Sequence, residues 1–261
     1  MALSQGKFFR AQIMERVDFS GELWAIRVDP GGAFSFTPGQ YATLGVETPH
    51  GLIERPYTIV SSPNESEVEF FLELLPQGRL TPGLHELRVG DALFLRKTPK
   101  GRFTFDTQSE RTKHLLLCTT TGIAPFVSYA RTLYKQWKDG TFTGEHTLFL
   151  LQGASRSFEL GYRVEMQKLA EEIPWLFYVP TISRPWEDTG WSGETGRVDD
   201  IIRKYADQWS LNGDNTIAYL CGHPGMIAHA KAILHRRGWM KSAVKEEAFF
   251  GIGKDVVDQR V

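Results

Sequence analysis

The hydrophobic pattern of this chain changes once, and that change limits the folds that its 261 residues can adopt. Residues 5–105 contain short segments rich in Val, Ile, Phe and Leu, with turns of Gly and Pro between them. Strands at such even spacing predict a closed, antiparallel β-barrel. From residue 113 onward, apolar strand-like runs alternate with helical stretches, which predicts a parallel sheet with crossover helices. We therefore predict two domains, a β-barrel at residues 1–107 and an α/β domain at residues 108–261, joined through the polar stretch 106–112.

The alternation in the second half is regular enough to place individual elements. Strands are predicted at 115–119, 146–152, 176–181 and 216–221, and helices at 129–137, 162–172, 198–205 and 225–236. In the barrel, a short helix at 80–87 is predicted to cover one end. Ligands of open α/β sheets bind beyond the carboxyl ends of the strands, so the residues that follow these strands are the first candidates for a site.

Composition and charge argue against several classes of protein. The net charge is −1 and the isoelectric point is near 6.7, which disfavours a general nucleic-acid binder. Residues 1–12 lack the apolar core of a signal peptide and no apolar run is long enough to cross a bilayer, so we expect a soluble, cytoplasmic protein. The two cysteines, Cys118 and Cys221, are too few to hold an iron–sulfur cluster, and the histidines lack the spacing of a metal site.

The sequence Arg55-Pro56-Tyr57-Thr58 opens an apolar run and combines three kinds of recognition group. Alternate residues of a strand face the same way, so Arg55 and Tyr57 can meet one ligand. The arginine offers a fork for a phosphate, the tyrosine a flat face for a planar ring, and Thr58 a hydroxyl for a ring heteroatom. A flavin dinucleotide has this chemistry. The alternative is an ordinary strand with one surface arginine.

Further segments lie where a ligand site is expected. Gly78-Arg-Leu-Thr81 precedes the short helix and offers N–H groups and a hydroxyl to an anion, although a plain helix cap is the simpler interpretation. Thr119–Phe126 and Cys221–Met226 each follow a predicted strand and open a helix. Three arginines also follow strands or turns, where a single arginine is usually solvated: Arg156, Arg184 and Arg197.

Together these segments resemble the ferredoxin–NADP reductase superfamily over roughly residues 5–250. The Arg55–Thr58 string, preceded by Pro38-Gly-Gln-Tyr41, is similar to its flavin motif. The segment after Thr119 resembles its Gly-Thr-Gly-Ile-Ala-Pro turn, but Thr120 replaces the first glycine, which we expect to be tolerated at a negative φ. Cys221-Gly-His-Pro-Gly-Met resembles the Cys-Gly-x-Pro-x-Met turn, and Glu246-Glu-Ala-Phe249 resembles the Glu-x-Ala-Phe end of some bacterial members.

The resemblance implies a bound FAD. Tyr57 is then expected to hold one face of the flavin and Ala248 to cover the other, while Phe249 packs on the adenine. The chain continues after Phe250 beyond the usual end of the family, and the role of this tail is left open. The residues that the resemblance assigns to FAD are Arg55, Pro56, Tyr57, Thr58, Phe71, Gly78, Arg79, Leu80, Thr81, Thr121, Ala248 and Phe249.

The resemblance also implies NADP(H) as the second cofactor. The three arginines resemble a cluster that surrounds the adenosine 2′-phosphate in bacterial reductases, and each Ser–Arg pair suits a phosphate dianion. We expect no acidic residue at that strand end to bind ribose hydroxyls, as NAD sites prefer, and therefore predict NADPH over NADH. The residues assigned to NADP(H) are Thr121, Gly122, Ser155, Arg156, Ser183, Arg184, Arg197, Cys221, Gly222, Pro224 and Met226.

The implied reaction is hydride transfer from nicotinamide to flavin, followed by single-electron transfer to a ferredoxin or flavodoxin. Catalytic roles are expected for Thr58, Cys221 and Glu246, of which Glu246 either assists proton exchange or orients its neighbours. We expect a monomer that meets its partner transiently. Acidic carriers would need a local basic patch. The candidate patches are Arg96, Lys97, Lys100 and Arg102, and Arg236, Arg237, Lys241 and Lys245.

Three alternatives to this reaction remain. A flavin reductase would treat flavin as a diffusible substrate, but Gly78–Thr81 and Glu246–Phe249 favour a tightly held FAD. A reductase component of a multicomponent oxygenase is compatible with the sequence. A binding module without activity is disfavoured because almost every ligand position of the family is filled.

Overall fold

A computed structural model describes residues 6–48 and 51–249 of the chain. Its N-terminal half is an antiparallel sheet with the order β4-β3-β6-β1-β2-β5. A bridge between Ile59 and Phe70 joins the chain just after β4 to β5, so the two ends of the sheet meet. The strands are β1 (Phe8–Asp18), β2 (Leu23–Asp29), β3 (Tyr41–Thr48), β4 (Gly51–Thr58), β5 (Val68–Glu73) and β6 (Ala92–Arg96).

The barrel interior is filled by side chains that alternate inward along these strands. Trp24, Ile26 and Phe70 are among the largest fully buried ones. Helix α1 (Thr81–Glu86) lies between β5 and β6 and adds Leu84 to the same core. At about 25 cal/mol for each Å² of apolar surface removed from water, burying such side chains is the main stabilising contribution of the barrel.

The C-terminal half is a six-stranded sheet with the order β10-β9-β8-β7-β11-β12, in which every pair is parallel. Pro125 in the first turn of α2 and the left-handed Gly140 after its last residue suit the start and the end of that helix. The strands are β7 (Lys113–Thr119), β8 (Thr147–Ala154), β9 (Leu176–Ile182), β10 (Glu194–Thr195), β11 (Thr216–Gly222) and β12 (Val244–Ala248), and the helices are α2 (Ala124–Asp139), α3 (Arg163–Glu172), α4 (Ile202–Gln208) and α5 (Pro224–Arg236).

The parallel sheet has a different neighbour on each face. One face packs against α2 and α3 in a cluster that also contains Leu23, Ala25 and Phe71 of the barrel. The other face packs against α4 and α5. Thr58 at the end of β4 contacts Glu247 of β12, so the end of β4 lies beside the parallel sheet. None of the helices in the described part of the chain has the length and apolarity that a membrane span requires.

The predicted fold class, a barrel followed by a parallel α/β sheet, is confirmed. Two short strands at the edges of the parallel sheet, β10 and β12, were not predicted because their sequences are polar or very short. Helix α2 begins at Ala124, before its predicted start, because the Pro-containing turn continues directly into the helix. The predicted turn at 49–50 and the tail from Phe250 onward lie outside the described residues.

Candidate active site between the barrel and the parallel sheet

The Arg55–Thr58 string lies at the end of β4, where Arg55 pairs with Leu44 of β3 and Tyr57 with Ala42. The exposed Arg55 guanidinium donates a hydrogen bond of 2.9 Å to the carbonyl oxygen of Glu54. The Tyr57 ring packs against the barrel core, and burial raises the pKa of its phenol, so the ring is neutral. A surface guanidinium two residues from a flat, neutral ring fits a ligand that carries both phosphate and a planar heterocycle.

Thr58 ends β4 and connects the barrel to the last strand of the parallel sheet. Its hydroxyl donates a hydrogen bond of 2.9 Å to Oε1 of Glu247 in β12. Thr58 is buried. Burial also raises the pKa of the Glu247 carboxyl, although the hydrogen bond from Thr58 opposes this shift. A carboxyl group that retains its proton above the usual pH range therefore lies beside the flavin motif.

Cys221 lies near the end of β11, in the middle of this region. In the sheet it pairs with Cys118 of β7 on one side and with Glu247 of β12 on the other. Both thiols are free and fully buried. Burial raises the pKa of Cys221 well above its ordinary value, and the neighbouring Glu247 and Cys118 add to the shift. The thiol is therefore neutral, and it contributes shape rather than a nucleophilic sulfur.

The two turns at the carboxyl ends of β7 and β11 interlock through their backbones. A Cβ on Gly122 would overlap the carbonyl group of Cys221, and a Cβ on Gly222 would overlap the Thr119 hydroxyl. Gly222 also has a φ of 125°, which side chains rarely adopt. The Thr119 hydroxyl in turn accepts a hydrogen bond of 2.9 Å from the N–H of His223. Glycine at both positions is thus required for the close approach.

Thr120 occupies the position of the glycine that the resembling motif carries, and its φ is 44°. The condition under which a Cβ is tolerated without strain, a negative φ, is therefore not met. The chain turns directly from β7 into the 3₁₀ turn Thr120–Ile123, and this reversal needs a left-handed residue at the first position. A threonine in that conformation costs roughly 1–2 kcal/mol relative to a right-handed one. Thr121, next in the turn, is half-buried.

The tail residues are displaced by one position from their expected roles. The carboxylate of Glu246 lies 2.6 Å from Nζ of Lys231 on α5 and does not face Thr58. Ala248 packs against the sheet face that carries α4 and α5, whereas Phe249 packs against the cluster that contains Cys221. Successive residues of a strand point to opposite faces, so the shift of one residue exchanges the two sides. Glu247 and Phe249, rather than Glu246 and Ala248, belong to the candidate site.

The Gly78–Thr81 segment differs from its expected geometry. The hydroxyl of Thr81 is bonded to the backbone of Leu75, at 3.0 Å from its nitrogen and 3.1 Å from its oxygen, and is thus used within the chain. Leu80 is buried in the barrel core, which leaves the exposed Arg79 and the backbone around Gly78 as the candidate anion ligands. Phe71 was also assigned to FAD. Its ring instead packs edge-on against Tyr162 at the contact between barrel and sheet.

The predicted 2′-phosphate residues gather at the carboxyl ends of β8 and β9. The N–H of Arg184 donates a hydrogen bond of 3.0 Å to the carbonyl of Ser155, and the N–H of Ser183 donates one of 3.0 Å to Ala154. The two Ser–Arg pairs, Ser155-Arg156 and Ser183-Arg184, are therefore adjacent, and Arg184 is exposed. The structure brings these four residues together as the sequence predicts.

Two glutamates lie near this edge, in the turns after the strands, and both are paired with arginines. Arg156 pairs with Glu159 at 3.0 Å and with Glu187 at 2.5 Å, and Arg184 lies 3.8 Å from Glu187. Both carboxylates come from the 3₁₀ turns that follow the strands. Arg156 is therefore held by two negative charges, whereas Arg184 has the weaker pairing and the freer guanidinium.

Two other assignments to NADP(H) also change. Arg197 lies 3.3 Å from the buried carboxylate of Asp199, which also lies 2.5 Å from His229. Asp199, Asp200 and His229 hold three potential metal-ligand atoms within 4.8 Å of one another, but Asp199 is already paired with the Arg197 guanidinium and bonded to the His229 ring. Met226 is a core residue of the α5 face, with 1% of its surface exposed, and cannot contact a ligand. Pro224, in the first turn of α5, is half-buried.

Sequence reasoning missed Glu247, Glu159 and Glu187, and it placed Phe249 on the adenine rather than beside Cys221. Adjacent residues of a strand point to opposite faces, so Glu246 and Glu247 cannot both face the site, but the sequence does not say which of them does. Glu159 was signalled only by its spacing of three residues from Arg156, and Glu187 by the same spacing from Arg184.

Comparisons with known proteins find a separate family match for each half of the molecule. Residues 11–105 match the family model of the oxidoreductase FAD-binding domain, and residues 116–232 match that of the oxidoreductase NAD-binding domain. Ferredoxin–NADP reductase A of Sorangium cellulosum is 27% identical over 236 residues, which cover 87% of this chain and 82% of that protein.

Two further proteins are similar to this chain, one in sequence and one in structure. The reductase component of the naphthalene 1,2-dioxygenase system of Pseudomonas putida is 32% identical over 86% of this chain, which spans 64% of that protein. The crystal structure of a ferredoxin NADP+ reductase from Neisseria gonorrhoeae, with bound FAD and NADP, superposes with a TM-score of 0.81 at 23% identity, covering 94% of this chain and 99% of the other.

Proposed function

Because the chain belongs to the ferredoxin–NADP reductase family, we propose that it transfers a hydride from NADPH to tightly bound FAD and passes electrons singly to ferredoxin or flavodoxin. An FAD- and NAD(P)-dependent oxidoreductase follows from the family itself. The preference for NADPH and the identity of the acceptor are our proposals.

The observation that carries the proposal is the hydrogen bond from Thr58 to Glu247. It brings the end of the flavin motif to the carboxyl edge of the parallel sheet, next to Cys221. Nucleotides bind to open parallel sheets at this edge. A flavin ring on Tyr57 and a nicotinamide at the end of β11 would therefore face each other across a short distance.

For FAD, the residues present fit the cofactor. Tyr57 would hold one face of the flavin ring, while Arg55, Arg79 and the backbone around Gly78 would hold the diphosphate. Bound flavin accepts a hydride and releases electrons one at a time, and this chemistry belongs to the cofactor. Thr58 would orient the reactive edge of the ring, and the buried Glu247 carboxyl, which accepts the Thr58 hydrogen bond, would take up the proton released when the flavin gives up its electrons.

For nicotinamide, the site has to open. Cys221 is fully buried, and Phe249 packs against its cluster while its N–H donates a hydrogen bond of 2.9 Å to the Gly222 carbonyl. We propose that Phe249 yields its position to the nicotinamide. An aromatic side chain buries far more surface than the alanine expected from the sequence, so displacing Phe249 costs more than displacing Ala248 would.

For the adenosine end, Arg184 is the leading ligand of a 2′-phosphate. Its pairing with Glu187 is long at 3.8 Å, and its side chain is half exposed. Arg156 is held by Glu159 and Glu187 and must exchange one of them for the phosphate. The proposed preference for NADPH therefore depends mainly on Arg184.

The proposed docking position of an acidic electron carrier lies beside the flavin motif. Lys100 forms a bridge with Tyr41, and Tyr41 pairs with Thr58 in the sheet. Of the two predicted basic patches, the first contains Arg96, which pairs with Glu54 at 2.5 Å, and the second contains Arg237, which pairs with Asp207. We propose Lys100 and Arg102 as the docking cations, on a cytoplasmic monomer that meets its carrier transiently.

Anaerobic mixing of the purified protein with NADPH, and separately with NADH, tests the proposal. The visible flavin band should bleach rapidly with NADPH and more slowly with NADH. Addition of oxidised ferredoxin or flavodoxin should then restore it. A protein that takes up no FAD, or FAD that neither nucleotide reduces, contradicts the proposal.

The reductase component of an oxygenase is the second candidate, favoured by the 32% identity to the naphthalene dioxygenase reductase. That relative is longer than this chain. Equal bleaching by both nucleotides, together with faster reoxidation by a small [2Fe–2S] ferredoxin than by flavodoxin, would favour this alternative.

A further inference from the structure

Glu69 of β5 is a buried carboxylate of the barrel whose two oxygens are both bonded by the other domain. Nη1 of Arg131 on α2 donates to its Oε2 at 2.6 Å, and the Tyr162 hydroxyl donates to its Oε1 at 2.6 Å. The Glu69 side chain is only 7% exposed. Within the barrel, the nearest cation, Arg27, lies 3.5 Å away. The strongest interactions of Glu69 therefore cross the domain boundary.

The donors on the other domain are themselves fixed. Arg131 also forms a two-pronged pair with Glu165 of α3, with its Nε at 2.7 Å and its Nη2 at 2.9 Å. Burial lowers the pKa of Arg131, but Glu165 and Glu69 outweigh it and the net shift is upward. Burial raises the pKa of Tyr162 well above its ordinary value, and Glu69 adds to the shift, so the phenol remains a donor.

The bonds of Glu69 to Arg131 and Tyr162 form a tie between the domains. This tie connects the two segments that carry the proposed reaction, the chain after Thr58 and the helix after the Thr120–Ile123 turn. The backbone of Glu69 accepts a hydrogen bond of 2.9 Å from Val60, two residues after Thr58. Helix α2, which carries Arg131, starts directly after the Thr120–Ile123 turn. Two weaker bonds run alongside, from Ser128 to the Ser61 carbonyl at 2.7 Å and from Thr132 to the Ser62 hydroxyl at 3.0 Å.

Phe19 of the barrel packs against the Tyr162 ring, but apolar side chains do not fill the outer side of the contact made by Glu69, Arg131 and Tyr162. A cleft of about 610 Å³ opens there between the two domains, and Glu69, Arg131 and Tyr162 form part of its wall. Charged groups at this depth are weakly screened by salt, so their geometry is held more firmly than that of surface pairs.

We infer that Glu69 is a positioning residue that fixes the separation between the flavin and the nicotinamide. The inference rests on the proposed hydride transfer. Glu69 touches neither cofactor site in this arrangement; it acts by joining the strand that follows Thr58 to the helix behind the nicotinamide turn. A displacement of about 1 Å between reacting groups is enough to slow a reaction by roughly 100-fold.

The test compares Glu69→Gln with Glu165→Gln. Both variants remove a carboxylate partner of Arg131 at similar distance, but only the first breaks a contact between domains. With FAD bound, the rate of flavin reduction at saturating NADPH should fall roughly 10- to 100-fold in Glu69→Gln, while KM for NADPH changes by less than about twofold. In Glu165→Gln both constants should stay within about twofold of wild type.

Hydrogen exchange supplies a readout that does not depend on turnover. Amides of residues 59–62 should exchange faster in Glu69→Gln than in Glu165→Gln. Tyr162→Phe, which removes one bond and buries no unpaired charge, should give a smaller loss of rate in the same direction. Equal slowing by Glu69→Gln and Glu165→Gln, or no slowing by either, overturns the inference. A wild-type protein whose FAD is not reduced by NADPH contradicts the proposed function instead.

Discussion

The two ends of the proposed nucleotide cleft are built in opposite ways. At the Cys221 end, backbones approach too closely for a Cβ at Gly122, and a carboxyl group is buried against a hydroxyl. At the Arg184 end, the side chains are partly exposed, and arginines pair with glutamates. The first end depends on volume and backbone geometry, whereas the second depends on the balance of charge. Substitutions should therefore act through stability and rate at one end, and through affinity and salt at the other.

The largest effect is expected for Gly122→Ala. The added Cβ would overlap the carbonyl oxygen of Cys221, and backbone atoms cannot move aside as a flexible side chain can. We expect a loss of about 4 kcal/mol or more in the free energy of unfolding, measured by urea denaturation, or no folded protein.

Gly21→Ala is the matched control for this variant. An added Cβ at Gly21 meets no atom within 4 Å, so its free energy of unfolding should stay within about 1 kcal/mol of wild type. If Gly122→Ala were as stable as Gly21→Ala, the buried end would be more adaptable than its geometry indicates.

The second effect concerns Glu247→Gln, which should slow reoxidation of the reduced protein by the one-electron carrier roughly 100-fold, because the hydrogen delivered as hydride must leave as a proton when both electrons have left. Burial raises the pKa of Glu247, so the native state binds its proton more tightly than the unfolded state does. The stabilising contribution of the Glu247 carboxyl should therefore be lost as the pH rises above about 4.3, so the stability of the wild type relative to Glu247→Gln should fall over that range. Rapid-mixing rates and thermal unfolding across pH measure the two effects.

Glu246→Gln separates this prediction from a general effect of charge. Glu246 is the neighbouring carboxylate, pairs with Lys231 on the surface, and should have little influence on rate or on pH dependence. A slow Glu246→Gln variant together with a normal Glu247→Gln variant would restore the alignment expected from the sequence.

At the charged end, Arg184→Ala should raise KM for NADPH about 10-fold and leave KM for NADH nearly unchanged. Glu187→Gln should lower KM for NADPH, because it frees Arg156 and Arg184 from the same carboxylate. Steady-state kinetics with both nucleotides, at low and high salt, measure these shifts. Equal losses for NADPH and NADH in Arg184→Ala would remove it from the 2′-phosphate site.

The sequence was most informative where a residue type has one dominant physical use. The positions of the Gly and Pro turns and of the apolar runs predicted the barrel and the parallel sheet. The two Ser–Arg pairs were predicted to lie together, and they do. It was least informative where the answer depended on contacts between distant segments. The face of β12 is decided by pairing with β11, and a slip of one residue exchanges Glu246 for Glu247. The carboxylates that neutralise Arg156 likewise depend on how two turns fold back.

The smallest predicted effect concerns the strained backbone of Thr120. It tests whether the proposed reaction depends on that strain. Thr120 and Ser210 both have a positive φ, of 44° and 53°. Glycine removes the left-handed penalty of about 1–2 kcal/mol but adds freedom to the unfolded chain, so each change to glycine should stabilise the fold by about 0.5–1 kcal/mol. Ser210 lies in an exposed turn after α4, and Ser210→Gly should leave the rate of flavin reduction unchanged. If Thr120→Gly stabilises equally without changing that rate, the strain is incidental; if it stabilises and slows the reaction, the threonine holds the nicotinamide turn in its working geometry.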